Sequence, residues 1–491
     1  MSVRPGVLLL LLIALLSTAS FAQSGYKLDF KVKGLKDTTV YLAYYLMDQT
    51  YLRDTAKVNS QGVFSFENTK PLAQGVFMVA ANNTTLFQFL IGNNQRFSME
   101  TDVSDFTGKM VVTGDEDNKL FFENANFLAK KFKDADPYVK IIRDSTLKED
   151  AKKEAREEFK KHSTEVIAYQ DNLIAKHPTT LTARLIKTTR EIEVPEAPKR
   201  ADGTIDSTWQ FKYYKAHYFD NFDISDDALL RIGKPMFKKK LTDYLDRLFL
   251  QQPDTLTKEI MRLATKVKKN QETYKYFMWT LMSHYQSHQI MGLDEVYVNL
   301  YDKFVATGEA DYWLDPASKK GIKEYVEKIR VSLVGKNAGN LIMQDKDLKA
   351  KSMYDIKNKY TILFFFSPDC GHCKEETPKL VDFYNKNKAK FDIEVYAVSI
   401  DTSMLKMRNF IKDYKMPWIT VNGPRTYVGH HSKMYYAETT PTMYVIDAKH
   451  KIIAKKLPIE QLPEFFQKYE SLHPAPKPNA AKPNGNKGTL R

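Results

Sequence analysis

The chain holds two cysteines in 491 residues, and they stand three apart as Cys370-Gly371-His372-Cys373. An apolar run from Tyr360 to Phe366 precedes them, and Ser367-Pro368-Asp369 then turns the chain into a helical pattern that starts at the motif. A Cys-x-x-Cys pair where a strand passes into a helix is the arrangement of a dithiol/disulfide redox centre. Backbone N–H groups and the macrodipole at a helix N-terminus favour an anion, so a thiol at Cys370 is expected to ionise more readily than usual. Residues three apart on a helix share a face, within disulfide reach. Cys370 is the expected nucleophile and Cys373 the resolving thiol, with the reverse sequence oxidising a substrate dithiol. His372 is the expected tuning group, since a protonated imidazole beside the thiolate makes the disulfide more oxidising.

The first residues read as a secretory leader, 1–22: Arg4, an apolar stretch from Val7 to Leu16, and small residues Ser20 and Ala22 before Gln23. Export to a periplasm or cell envelope follows, and no later stretch has the apolar length of a membrane span. In an oxidising compartment a structural disulfide framework needs more cysteines than these two, so they serve chemistry rather than stapling. The formal charge of +14 raises the question of nucleic acid. Acids are interspersed with the lysines, as in Lys148-Glu149-Asp150-Ala151-Lys152-Lys153-Glu154, which reads as a solvated helix face and argues against that partner.

Hydrophobic periodicity changes twice along the chain. From 23 to 115 it alternates in steps of two, with Leu28, Phe30 and Val32 on one face and Asn59-Ser60-Gln61-Gly62 as a turn, which predicts an antiparallel β-sandwich. From 116 to 334 it is helical, with stripes such as Tyr274, Phe277, Met278, Leu281 and Tyr285, which predicts an all-α bundle. Thr146-Leu147-Lys148-Glu149 has the form of a capping box, and Asp315-Pro316 that of an N-cap with proline at the first helical position. From 335 to 472 strand and helix signals alternate, which predicts a mixed α/β sheet covered by helices. The tail, 473–491, is rich in Pro, Asn, Lys and Gly and is expected to be disordered.

The segment Phe364-Phe365-Phe366-Ser367-Pro368-Asp369-Cys370-Gly371-His372-Cys373-Lys374-Glu375-Glu376-Thr377-Pro378 resembles the active-site segment of the thioredoxin superfamily, most closely exported TlpA/ResA-type thiol–disulfide oxidoreductases. The resemblance implies a C-terminal thioredoxin-like fold, a redox-active disulfide between Cys370 and Cys373 with no other cofactor, and protein thiols or disulfides as substrates, together with a redox partner. It implies that Pro378 kinks the active-site helix, and that Thr440-Pro441 is a substrate-binding turn facing the cysteines, with a cis bond at Pro441. Glu376 matches a glutamate that acts as general base to Cys373. Phe364 departs from the pattern, because thioredoxin has a buried aspartate there. The modules before residue 335 resemble the N-terminal regions of Bacteroidetes-type thioredoxin-like proteins.

Three rival readings remain at this level. A thioredoxin-fold peroxidase has a Ser or Thr three residues before its cysteine, as Ser367 is, but it lacks a second cysteine this close. Zinc needs ligands beyond the two cysteines; His430, His431, His284 and His288 are the available histidine pairs. A binding or scaffold protein with a non-catalytic thioredoxin-like domain is argued against by the intact pair and Thr440-Pro441.

Overall fold

A computed structural model describes residues 25–233 and 235–474. The leader and all but the first two residues of the tail lie outside them. The chain folds into two compact units, one running to Phe249 and including Arg262–Met278, the other made of Leu250–Met261 and the chain from Trp279 onward.

The first unit opens with eight strands: β1 Tyr26–Lys33, β2 Thr39–Leu46, β3 Gln49–Lys57, β4 Val63–Asn68, β5 Gly75–Ala81, β6 Thr84–Ile91, β7 Arg96–Asp102 and β8 Val111–Thr113. They form two four-stranded sheets, in the orders β4-β1-β7-β8 and β3-β2-β5-β6. Residues of both sheets share one core, in which Phe30 stacks on Phe64 at 5.1 Å and meets Phe66 and Phe89 edge-on. The expected antiparallel pairing holds for every ladder of these sheets but one: β1 and β7 run parallel. Alternation in steps of two reads the same whichever way a neighbour runs, so the sequence pattern does not reveal this.

The helices follow: α1 Glu116–Arg143, α2 Glu149–Lys176, α3 Leu181–Thr188, α4 Trp209–His217 and α5 Met236–Leu248. Asp115 caps α1 by accepting from the Asn118 N–H at 2.7 Å, while the Asn118 side chain exchanges two 2.7 Å bonds with the backbone of Leu90 on β6. The capping box expected at Thr146–Glu149 does not form. The Thr146 hydroxyl donates to Asp144 Oδ1 at 2.6 Å instead, and α2 starts with no side-chain cap at Lys148.

Helices α6 Pro253–Val267 and α7 Gln271–Gln286 contribute residues to both units, and the stripe Tyr274, Phe277, Met278, Leu281 and Tyr285 is buried throughout. In the second unit, α8 Asp294–Leu300 passes into a π-helical turn, and α9 Pro316–Arg330 starts as the sequence indicates, with Asp315 Oδ1 accepting from Ala317 and Ser318 at 2.9 and 3.0 Å. A sheet follows, built from β9 Ile342–Asp345, β10 Ala350–Ser352, β11 Tyr360–Phe366, β12 Ile393–Ser399, β13 Ile419–Asn422, β16 Thr442–Asp447 and β17 Ile452–Lys455, with the two-residue strands β14 Arg425–Thr426 and β15 Gly429–His430 pairing apart from it. Its order is β10-β9-β13-β12-β11-β16-β17, with β11, β12 and β13 parallel and the outer pairings antiparallel. The connecting helices are α10 Gly371–Phe391, α11 Met404–Asp413 and α12 Leu462–Leu472. Central β11 is buried along its whole length, as a strand covered on both faces must be. Its Phe364 and Phe366 share a core with Cys373, and its Leu363 and Phe365 pack on the other face with Tyr435 and Tyr444.

Candidate redox site

At the C-terminal end of β11 the turn closes with the Cys370 N–H donating to the Ser367 carbonyl at 3.1 Å, which leaves Cys370 as the N-cap of α10. Asp369, one residue earlier, pairs with Lys406 at the start of α11. Cys370 is half-buried, Cys373 is wholly buried, and both are free thiols. The Thr377 hydroxyl donates to the Cys373 carbonyl at 2.7 Å just before Pro378, which lies inside the helix.

The two thiols meet different electrostatics. Burial pushes the Cys370 thiol up, but hydrogen bonds from the Cys373 side chain and backbone N–H, the Thr440 side chain and the His372 backbone N–H outweigh it, and Cys370 ends below the ordinary thiol value. Burial dominates at Cys373 and pushes it up to about 11. In its neutral form Cys370 donates to the Thr440 carbonyl at 3.2 Å. The Thr440–Pro441 bond is cis.

His372 reaches Cys370 through its backbone and not through its ring. Its side chain is 83% exposed, with Nδ1 3.4 Å from Glu375 Oε2 on the next turn. Glu376 is part-buried and paired with Lys379 at 2.7 Å. It lines a groove of about 420 Å³ with Phe364, Thr439, Pro441, Lys456 and Ile459. The phenylalanine that replaces the aspartate of thioredoxin thus forms the floor beside Pro441.

The histidines weighed as metal ligands lie elsewhere. His431 packs on Phe365, on the sheet face away from Cys373, and His430 turns to Ser432. The rings of His284 and His288 lie 4.9 Å apart on and just beyond α7. Among the described residues, no group of three metal-ligating side chains includes either cysteine.

Sequence reasoning did not find what holds the Pro441 turn. The Ser332 hydroxyl, just after α9, accepts the Tyr436 N–H at 3.1 Å and lies 3.1 Å from the Tyr444 hydroxyl, which donates to the Tyr436 carbonyl at 2.7 Å. Lys328 pairs with Glu438 at 2.6 Å. Below them Lys455, 6% exposed, pairs with Asp294 and donates to the Ser332 carbonyl at 3.2 Å. Apart from Tyr436 and Tyr444, these partners stand over 100 positions apart in sequence, and no local pattern announces them.

A Cys-x-x-Cys dithiol at a strand-to-helix junction, facing a cis-proline turn on a mixed seven-stranded sheet, defines a thioredoxin-fold thiol–disulfide oxidoreductase. Residues 334–455 match the AhpC/TSA family, while 148–332 and 26–121 match two domains of unknown function (DUF5106 and DUF4369). The thiol-disulfide oxidoreductase ResA of Bacillus cereus (strain ATCC 10987 / NRS 248) is 30% identical over 149 residues, 29% of this chain and 83% of that one. The chain belongs to the ResA family of thiol–disulfide oxidoreductases through this region. Among solved structures, a domain of a possible thiol-disulfide isomerase from Cytophaga hutchinsonii ATCC 33406 is 39% identical, covering 29% of this chain and 95% of that one, with a TM-score of 0.27. A thioredoxin-like protein from Bacteroides caccae ATCC 43185 is 16% identical, covering 57% and 100% respectively, with a TM-score of 0.44.

Proposed function

We propose that the protein is an exported oxidoreductase that exchanges disulfides with protein substrates through Cys370 and Cys373. The observation that carries this reading is the asymmetry of the pair: a half-exposed thiol at a helix N-terminus against the Thr440 carbonyl, with its partner buried behind it. The Cys370 thiolate attacks one sulfur of a substrate disulfide, forming a mixed disulfide and expelling the other substrate sulfur as thiolate. Cys373 then loses its proton and attacks Cys370 Sγ. The second substrate thiolate leaves, and two electrons have passed from the protein to the substrate. Run backwards, the same steps oxidise a substrate dithiol. Which way electrons flow depends on the potential of the redox partner.

Glu376, on the groove wall, is the proton acceptor we assign to Cys373, and the Thr440-Pro441 turn is the edge on which an extended substrate lies. We assign the His372 ring no direct contact with the thiolate, since it is exposed and turned to Glu375 on the next turn. The leader at 1–22 supports export to the periplasm or cell envelope. Among the described residues no helix is long and apolar enough to cross a membrane.

The test is capture. A full chain carrying Cys373→Ser is expected to accumulate mixed disulfides with envelope proteins through Cys370, released by reductant, and Cys370→Ser is expected to capture none. Equal capture by the two variants would sink the assignment of nucleophile and resolving thiol.

A further inference from the structure

Thiol exchange leaves one polar cavity without a role. It measures about 340 Å³ and is walled by Asp294, Tyr325, Tyr436, Tyr444, Lys455 and Lys456, with the 286–292 loop across it. Its charges do not cancel. Lys455 is matched by Asp294, whereas Lys456 has no carboxylate within ion-pair distance among the described residues and is held instead with Nζ 5.5 Å from the centre of the Tyr436 ring. The neighbouring acids are already engaged: Glu438 by Lys328, and both Glu376 and Glu460 by Lys379.

Lys456 also lines the groove beside Pro441 and Glu376, so one cation stands at the junction of the cavity and the redox groove. Its backbone sits in the left-handed region at φ 53°, where a side chain is disfavoured, and its N–H donates to the Met443 carbonyl at 2.8 Å. The buried Lys455 ammonium is compensated where it stands, by Asp294 and by the Ser332 carbonyl that accepts from it at 3.2 Å, which leaves Lys456, among the described residues, as the uncompensated cation of this cavity.

We propose that this cavity is a recognition subsite for an acidic side chain of the protein substrate, a few residues from its reactive cysteine, with Lys456 receiving the carboxylate. The Tyr436 and Tyr325 rings and the Lys455–Asp294 pair form its walls. The proposal rests on the thiol-exchange reading and names the substrates that reading leaves open: cysteines flanked by Asp or Glu.

The experiment uses the reduced full chain and peptides bearing one cysteine as its mixed disulfide with thionitrobenzoate, with Glu, Gln or Lys placed two to four residues from that cysteine. The thiolate released is followed by absorbance. The Glu peptide is expected to react about tenfold more efficiently than the Lys peptide at low salt, through apparent affinity and not through the limiting rate. Lys456→Gln is expected to flatten that ranking and Lys456→Glu to invert it, while the Gln peptide reacts alike with all three proteins. A wild type that treats the three peptides alike, or a Lys456→Glu variant that keeps the wild-type ranking, overturns the subsite alone. If no peptide reacts faster with wild type than with Cys370→Ser, the thiol-exchange reading falls, and the subsite with it.

Discussion

Cys370 Sγ lies 3.2 Å from the Thr440 carbonyl oxygen, close enough for the neutral thiol to donate to it. Ionisation removes that proton, and the sulfur must then be satisfied by the donors around it, from Cys373, Thr440 and the His372 backbone. The turn to which we assign the substrate therefore also faces whatever charge Cys370 carries.

Alkylation of the reduced protein is expected to show two separate thiols. Cys370 reacts with iodoacetamide along a titration lying below the ordinary thiol value, and Cys373 stays unmodified until the solution approaches about pH 11 in the folded protein. Peptide mapping of the modified sites across pH reads this directly. One shared titration for both residues would contradict the asymmetry.

Stability of the reduced form is expected to fall at alkaline pH. The folded-state value of Cys373 is raised from 9.0 to about 11, so its contribution is whole below about 9 and is lost as pH rises through about 11. Cys370 is shifted the other way, and its contribution is lost as pH falls through its folded value. Urea melts of reduced wild type and Cys373→Ala between pH 8 and 11 are the comparison, and the alkaline slope is expected to be shallower in the variant, the remainder coming from buried tyrosines such as Tyr297 and Tyr384, which burial also pushes up.

Tyr444→Phe removes a hydroxyl that bridges Ser332 and the Tyr436 carbonyl. A part-buried carbonyl left without its donor costs about 1 kcal/mol, the low end for an unsatisfied group, readable as a lowered denaturation midpoint. Because that carbonyl lies four residues before Thr440, the Cys370 alkylation profile is expected to move as well. A change in stability with an unmoved profile would confine the hydroxyl to a structural role.

Glu376→Gln is expected to slow the second step and spare the first. Release of substrate from the mixed disulfide by Cys373 falls by roughly 10²-fold, the lower range for a positioned general base, while Cys370 alkylation keeps its pH dependence. Quenched-flow measurement of both steps distinguishes them, and equal slowing of the two would remove Glu376 from proton transfer.

Phe364→Ala opens a cavity under the groove, since Phe364 is 1% exposed. The expected loss is about 3–5 kcal/mol by chemical denaturation. A loss below about 1 kcal/mol would mean that the floor collapses without cost.

Much of this was legible because it is local. The apolar run before the cysteines, the helix behind them and the Asp315-Pro316 start each follow from residues a few positions apart. The parallel β1–β7 pairing was not, since pairing direction leaves no mark on alternation. The capping signal at Thr146 failed because the helix starts two residues later than that box requires, with Lys148 at the N-cap and Thr146 held in a turn by Asp144. His372 sits where the sequence puts it, but the direction of its ring is decided by Glu375 on the following turn. The circuit of Ser332, Tyr436, Tyr444, Lys455 and Asp294 is assembled by the tertiary fold alone.

That circuit bears on where the chain can be cut. A fragment starting at Gly335 retains both cysteines, Pro441 and the whole seven-stranded sheet, yet it loses Asp294 and Ser332. It would lose the carboxylate and the carbonyl that hold the Lys455 ammonium, and one of the two partners of the Tyr444 hydroxyl. The redox portion therefore draws part of its bracing from the chain before it, and moving it between proteins with that segment attached would keep the bracing intact.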